Sequence, residues 1–359
     1  MKEEETHCGP SPNRIPTTSD LKIWATELGF DALGVADIDL SKQKKSVIDW
    51  LRAGFAGEMH YMKRNIKKRL HPELLITGTC RVVCVRKNYL NEKANPKKTL
   101  EQNEKAYIAQ YALGRDYHKL MRKSLARLAS RINSSLGYGH YRAFVDSAPV
   151  LEKPLAQKAG LGWIGKNSLV LNKEAGSWFF LGEIYTNVPF EPSAEEPNSE
   201  CGKCQACINV CPTDAIVEPG KIDARKCISY LTIEHKGRID EQLRSRMGNR
   251  IFGCDDCQIF CPWNRDAQTT RDQRFAPRHS LDNSDLVELF NLSQEEFETL
   301  TRGSPIRRIR FDQWQRNIAI ALGNSTPSEQ SIKALNDALG NVSDLVDEHI
   351  RWAIKKLSR

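Results

Sequence analysis

The chain has 359 residues, 53 Lys and Arg against 45 Asp and Glu, a net charge of +8, and eleven cysteines. That length allows roughly two or three domains with a sizeable core, and no apolar run approaches the ~20 residues needed to span a bilayer. The polar opening MKEEETHCGPSPNRIPTTSD lacks the basic, apolar and cleavage regions of an export signal, so a reducing cytoplasm is expected, where clustered thiols serve metal or redox chemistry rather than disulfides.

In chain order, LKIWATELGF has helical spacing and stops near Gly29. RVVCVRKNY is a β-branched run that predicts a buried strand; Cys80 and Cys84 beside it read as small core residues, and Cys8 as part of a frayed terminus. In YHKLMRKSLARLASRINSSLGYG, Met121, Leu125, Leu128, Ile132 and Leu136 step by three and four. That is an amphipathic helix, ended where Gly137 allows a left-handed turn. YRAFVDSAPVLE and SWFFLGEIYTNVPF read as strands. PFEPSAEEPNSE, Pro189 to Glu200, has linker composition, so an α+β domain is expected over 1–195. A cysteine-rich unit, 196–268, is too poor in long apolar elements to fold on burial alone, and metal ligation supplies the missing stability. The remainder, 269–359, is helical. Two segments end in Ala-Leu-Gly-Asn, with Gly323 and Gly340 expected at C-caps and Thr326 at an N-cap before Pro327. The pattern resembles a HEAT-type pair, with a plain bundle as the alternative.

Positive charge is concentrated early: eleven Lys and Arg against two Asp and Glu from His60 to Leu100, and six against one from Arg115 to Arg131. Such a surface attracts a polyanion; a solvated basic face is the plain alternative.

CGKCQACINVCP sets Cys201, Cys204, Cys207 and Cys211 in the pattern C-x2-C-x2-C-x3-C-P. GCDDCQIFCP sets Cys254, Cys257 and Cys261 in C-x2-C-x3-C-P, and Cys227 stands between the two. Three thiols at x2-x2 spacing wrap three corners of one iron–sulfur cube, while the x3 step carries the next thiol to the other cube. The expected sets are Cys201, Cys204, Cys207 with Cys261, and Cys211, Cys227, Cys254 with Cys257, holding two [4Fe–4S] clusters. Zinc is the competing metal, but it rarely uses this pattern. The insertion between Cys227 and Cys254 exceeds what a minimal ferredoxin needs and is expected to contact something.

Clusters move electrons without naming their acceptor. In FVDSAPVLEKPLAQKAGLGWIGKNSLVL, Asp146 and Glu152 are carboxyl groups beside apolar residues, where burial would raise their pKa and make a proton donor. A turn or cap before Pro149 is the plain reading of Asp146. Gly160, Gly162 and Gly165 permit close approach to a ligand, or a tight turn. They match neither a dinucleotide nor a Walker motif, so no nucleotide cofactor follows.

DSAPVLEKPLAQKAGLGWIGKNSLVL, both cysteine motifs, CISYLTIEHKG and FGCDDCQIFCPWN together resemble the epoxyqueuosine reductase family, from about Asp20 to Asn324 and more weakly beyond. The resemblance implies a cytoplasmic, cobalamin-dependent iron–sulfur enzyme that reduces the epoxide of epoxyqueuosine at the wobble position of certain tRNAs. It implies a nitroreductase-like cobalamin-binding domain, a ferredoxin-like two-cluster domain and C-terminal HEAT-like helices. Asp146 matches the family's proton donor. Implied cobalamin contacts are Arg69, Tyr111, Asp146, the run Gly165, Lys166, Asn167, Ser168 and Leu169, and Ser229 and Gly253. The polyanion becomes the tRNA anticodon stem-loop, with His235 and Lys236 near it and phosphate contacts around Lys63 to Arg69 and at Arg307, Arg308 and Arg310. DYHKLM begins like the D-x-H-x-x-G signature of B12 domains but lacks its glycine, so His118 is expected to be a local hydrogen-bonding residue and not a cobalt ligand. A monomer served by an external electron donor, with no membrane attachment, is expected. The rivals are a reductive dehalogenase-like enzyme for a small organohalide, against which the basic surface argues, and a ferredoxin-type carrier, against which the long N-terminal domain argues.

Overall fold

The apolar run at 81–88 forms the middle of a four-stranded antiparallel sheet. Its strands are β1 (Ala32–Asp37), β2 (Arg81–Asn88), β3 (Tyr141–Phe144) and β4 (Phe179–Thr186), in the order β1-β2-β4-β3. The computed structural model describes residues 15–193 and 196–358; Cys8 lies outside them. Successive side chains of β2 point to opposite faces. Val83 and Val85 pack with Met121, Leu125, Leu128 and Ile132 of the helix Tyr117–Leu136. Val82 and Cys84 pack with Leu155 and Ala156 of the helix Glu152–Lys158. Both faces are covered, so the strand reads as an unbroken apolar run instead of an alternating one.

The long helix starts on an Asp116 cap and ends at Gly137, φ 73, as its spacing predicts. The strand predicted across YRAFVDSAPVLE stops at Phe144. Asp146 takes a positive φ of 57, the chain turns through Pro149, and a helix begins at Glu152. The following Ala159 lies so close to β1 that a Cβ on Gly34 would stand 1.8 Å from its carbonyl oxygen. Glycine at 34 is what lets the chain after residue 152 sit down on the sheet.

The C-terminal helices Phe311–Asn324, Glu329–Ala338 and Asp344–Leu357 pack around Trp314, Ile318, Leu335, Val346 and Ile350. Gly323 is not at a cap: its helix runs on to Asn324, and a Cβ there would lie 2.7 Å from the Trp352 ring. Close helix packing, not a left-handed turn, requires that glycine. The cap of the next helix is Ser328, not Thr326, because Ser328 reaches the Ser331 N–H. This core also takes in Ala106, Ile108, Ala112 and Leu113 from the first third of the chain, with Ile251 and Phe252. Tyr107–Ile108 pairs in parallel with Arg250–Phe252.

One short helix, Ile228–Ile233, joins this core to the cysteines. Cys227 is its N-cap. Its last turn and the loop beyond are held by the helix Phe311–Asn324: the fully buried Arg316 donates to the Leu231, His235 and Gly237 carbonyls, and Asn317 to those of Thr232 and Ile251. Among the described residues no helix is long and apolar enough to cross a membrane.

Candidate active site and cluster-binding thiols

The two cysteine loops fold into short helical turns, Ala206–Asn209 and Asp256–Ile259, which pack together. Cys201, Cys204, Cys207 and Cys261 line one small cavity, beside Trp263. Burial pushes the Cys207 thiol up to about 11, and the neighbouring Cys261, Cys201 and Cys204 add to the shift. Cys254 and Cys257 are pushed well up by burial, and both lie in the field of Cys227. Cys227 is raised by burial and by Cys211, and Cys257 feels Cys207 and Cys211 as well. Cys201, Cys204, Cys207 and Cys261 therefore stand around one gap, while Cys227, Cys254 and Cys257 lie near one another and Cys211 lies near Cys227 and Cys257. Thiols that raise one another's pKa cannot ionise together unless bound iron supplies positive charge. The first four thiols ring a small gap.

The run Gly165 to Leu169 lies against these loops. Lys166 Nζ donates to the Gly202 and Cys204 carbonyls, and Asn167 Nδ2 to the Cys257 carbonyl. Ser168 adopts φ 63. Gly253, φ 73, has Ala109 2.5 Å from where a Cβ would be.

A cavity of about 560 Å3 opens beside Cys227. Tyr117, His118 and Asp146 form part of its wall; Cys227, Ser229 and Arg308 form another part. A smaller cavity of about 160 Å3 shares Tyr117 and Asp146 with it, and is also lined by Glu152, Lys153 and Leu169. Asp146 Oδ2 accepts from the Tyr117 hydroxyl at 2.7 Å and lies 3.3 Å from His118 Nε2. His118 Nδ1 is 2.7 Å from Asp116 Oδ1. The Asp146 side chain is 58% exposed, so its free edge is open to the cavity.

The protonation pattern differs from the one burial alone predicts. Burial does raise Glu152, with help from the Asp146 charge, to about 7. For Asp146 burial is outweighed by the hydrogen bonds of His118 and Tyr117, which hold its carboxyl below the usual range. Burial also opposes charge on His118, but Asp116 and Asp146 outweigh it and lift the imidazole to about 9. At neutral pH the proton of this pair therefore sits on His118. His118 makes the local hydrogen bond expected of it, to Asp116, and its other ring nitrogen also faces Asp146. Tyr117 and His118 line the cavity although sequence reasoning did not select them for it; the only signal was the run Asp-Tyr-His at the head of an amphipathic helix.

The other expected contacts divide. Arg69 lines the large cavity, donates to the Val150 carbonyl, and has its buried Nε without a partner. That is a donor suited to the amide carbonyls that fringe cobalamin. Tyr111 and Ser229 line the same cavity. Arg308 does too, paired with Glu234 at 2.9 Å. Arg307 donates instead to the Glu298 carbonyl, and Arg310 pairs with Asp312. His235 and the Lys236 N–H are both tied to Glu58.

Residues 69–147 match the family model described as epoxyqueuosine reductase QueG, DUF1730, and residues 200–264 match the 4Fe-4S double cluster binding domain. The epoxyqueuosine reductase of Pseudomonas aeruginosa is 50% identical over 347 residues, covering 97% of this chain and 96% of that protein. The chain belongs to the epoxyqueuosine reductase family. This family of oxidoreductases uses cobalamin together with two [4Fe–4S] clusters. An epoxyqueuosine reductase solved with an epoxyqueuosine-modified tRNA-Tyr stem loop aligns with a TM-score of 0.86 at 27% identity, over 95% of this chain and 90% of that one. One from Bacillus subtilis, with its catalytic aspartate loop swung out of the active site, gives 0.85 at 27% identity, over 94% and 90%. The mixed α/β fold is that of the family, and the double-cluster match removes zinc as the reading of the cysteines.

Proposed function

We propose that this chain reduces the epoxide of epoxyqueuosine to queuosine in the anticodon wobble position of tRNA, with electrons passed from an external donor through two [4Fe–4S] clusters. One observation carries the reading: a single cavity has the His118–Asp146 pair in one part of its wall and Cys227 in another. Protons and electrons arrive at the same place. Removing the epoxide oxygen takes two electrons and two protons, forms a carbon–carbon double bond and releases water.

The ligand sets in this reading are Cys201, Cys204, Cys207 and Cys261 for one cluster, and Cys211, Cys227, Cys254 and Cys257 for the other. Cobalamin, held by Arg69, Tyr111, Ser229, Gly253 and the Gly165–Leu169 run, supplies a strongly reducing cobalt centre when bound. His118 Nε2 holds the proton, Asp116 orients its ring through Nδ1, and Asp146 Oδ2 passes the proton to the departing oxygen. The aspartate loop called catalytic in the Bacillus subtilis relative supports that assignment. The Tyr117 hydroxyl fixes the Asp146 carboxylate, and the second proton enters from solvent. A loop nucleotide can be splayed out of its stack to reach such a cavity. In this reading Arg308, on the cavity wall, and the His235–Lys236 loop meet the RNA, and the stem-loop bound by the solved relative supports that partner.

Residues 1–195 form a nitroreductase-like cobalamin-binding unit in this reading, 196–268 a ferredoxin-like unit and 269–359 a HEAT-like unit, knitted by the Tyr107–Ile108 strand pairing. The enzyme works as a cytoplasmic monomer. The test is incubation with epoxyqueuosine-containing tRNA, a reductant and cobalamin, followed by nucleoside mass analysis. Loss of one oxygen atom is expected; an unchanged mass with both cofactors loaded overturns the reading.

A further inference from the structure

Among the cysteines of the two loops and Cys227 between them, Cys204 is the one that is exposed. Cys211, Cys227, Cys254 and Cys257 are half-buried, and what opens at Cys227 is the large cavity, which substrate and cobalamin fill in the proposed function. The other set reaches the surface. Cys204 and Pro262 both line its gap, and both are exposed. An electron crosses only a short distance between carriers, so an external donor has to approach at this lip.

The lip is held from behind and left open in front. Lys166 Nζ donates to the Gly202 and Cys204 carbonyls at 2.8 and 2.7 Å, and Trp163 meets Trp263 edge-on at 5.1 Å, beside Cys201 and Cys261. In front, Phe260 closes the turn Asp256–Ile259, immediately before Cys261 and Pro262. Phe260 is 40% exposed and joins none of the apolar cores of the described residues. A ring left in water is the kind of residue that anchors a protein contact. The charge around it has one sign. The segments that line the gap, 165–169, 201–207 and 257–263, hold two lysines, Lys166 and Lys203, and no carboxylate. Glu200, one position earlier, is paired with Lys173 at 2.9 Å.

We propose that the lip of Cys204, Phe260 and Pro262, with Lys203 beside it, docks a small one-electron carrier protein with an acidic face, and that Phe260 is its anchor. The proposal rests on the electron path given above and names the partner at its outer end. Each encounter moves one electron: the carrier is oxidised by one, the cluster held by Cys201, Cys204, Cys207 and Cys261 is reduced by one, and no bond forms or breaks. Two encounters supply the two electrons of one turnover. Redox encounters between proteins are small and transient, so one aromatic anchor with a few charges to steer the approach suffices.

Stopped-flow electron transfer tests this, with flavodoxin, an acidic flavin mononucleotide carrier, as the probe. The cluster-loaded protein is reduced, desalted and mixed with oxidised flavodoxin; this downhill direction uses the same encounter complex as delivery. The second-order rate should fall as salt is added. Phe260→Ser should lower it about tenfold with the salt dependence kept, and Lys203→Gln should lower it less and flatten the salt dependence. Iron content and transfer to benzoquinone, a small neutral acceptor, should be unchanged in both. An unchanged flavodoxin rate in Phe260→Ser overturns the proposal whatever Lys203→Gln does. An equal loss with benzoquinone traces the effect to the clusters themselves and overturns it too. Loss of stem-loop RNA affinity in Phe260→Ser, matching the loss in transfer, would give this face to RNA and overturn it as well. A chain with the expected rates that leaves the nucleoside mass unchanged would keep the docking face and lose the proposed reaction.

Discussion

At Asp146 the protein keeps a carboxylate both ionised and reachable, which burial alone would not do. The pairing with His118 sets the sign, and a prediction follows from it. Asp146→Asn should retain clusters and cobalamin but lower turnover by about 100-fold or more, because the path from His118 Nε2 to the substrate ends; single-turnover assays beside absorbance spectra check both halves. His118 is raised, so its charged form persists through neutrality and is lost as pH rises through about 9. Wild-type kcat should fall on that alkaline limb, and His118→Gln should be slower throughout and lack it. Stability carries a second signature. Glu152 has its folded pKa raised from 4.5 to about 7, so its contribution is complete below the unfolded value and disappears as pH climbs through 7. Glu152→Gln should flatten the thermal midpoint across that window. The cysteines were legible in the sequence because residue type and spacing carry their chemistry, whereas Asp146 read by itself as a turn residue and was singled out by the family resemblance. The direction of the Asp146 shift was not legible, since it depends on hydrogen bonds from residues twenty-eight and twenty-nine positions away.

Periodicity identified the long helix and the buried strand, and there element and sequence agree to within a residue. It failed where tertiary contact decides. Gly323 looked like a helix end and is a packing surface for Trp352; the strand through YRAFVDSAPVLE breaks because Asp146 turns left-handed. Nothing in the sequence announced Arg316 either, since a cation amid Ile318, Ala319 and Ile320 would ordinarily be assigned to the surface. It is fully buried and meets the open end of the Ile228–Ile233 helix. Arg316→Met should destabilise the chain by about 3 kcal/mol, because three carbonyls lose their donor. Urea unfolding measures this. The same variant should weaken tRNA binding without lowering iron content, since the His235–Lys236 loop loses its anchor while the cysteines remain.

For the molecule as a whole, anaerobically prepared protein should contain about eight irons, four per cube; about four would leave one thiol set empty. Affinity for tRNA should fall steeply with salt, with a slope set by the phosphates that the basic surface neutralises, and a filter-binding series at several ionic strengths measures it. The parallel pairing of Tyr107–Ile108 with Arg250–Phe252 has a further effect on how such a chain is made. The Tyr107 hydroxyl donates to Asp255, 148 positions later, between Cys254 and Cys257. A ribosome must therefore deliver most of the protein before that early strand finds its neighbour, and iron cannot be enclosed on a half-finished chain. Cofactor loading has to wait for the second cysteine loop, and a product terminated before it would expose bare thiols to oxidation instead of retaining partial activity.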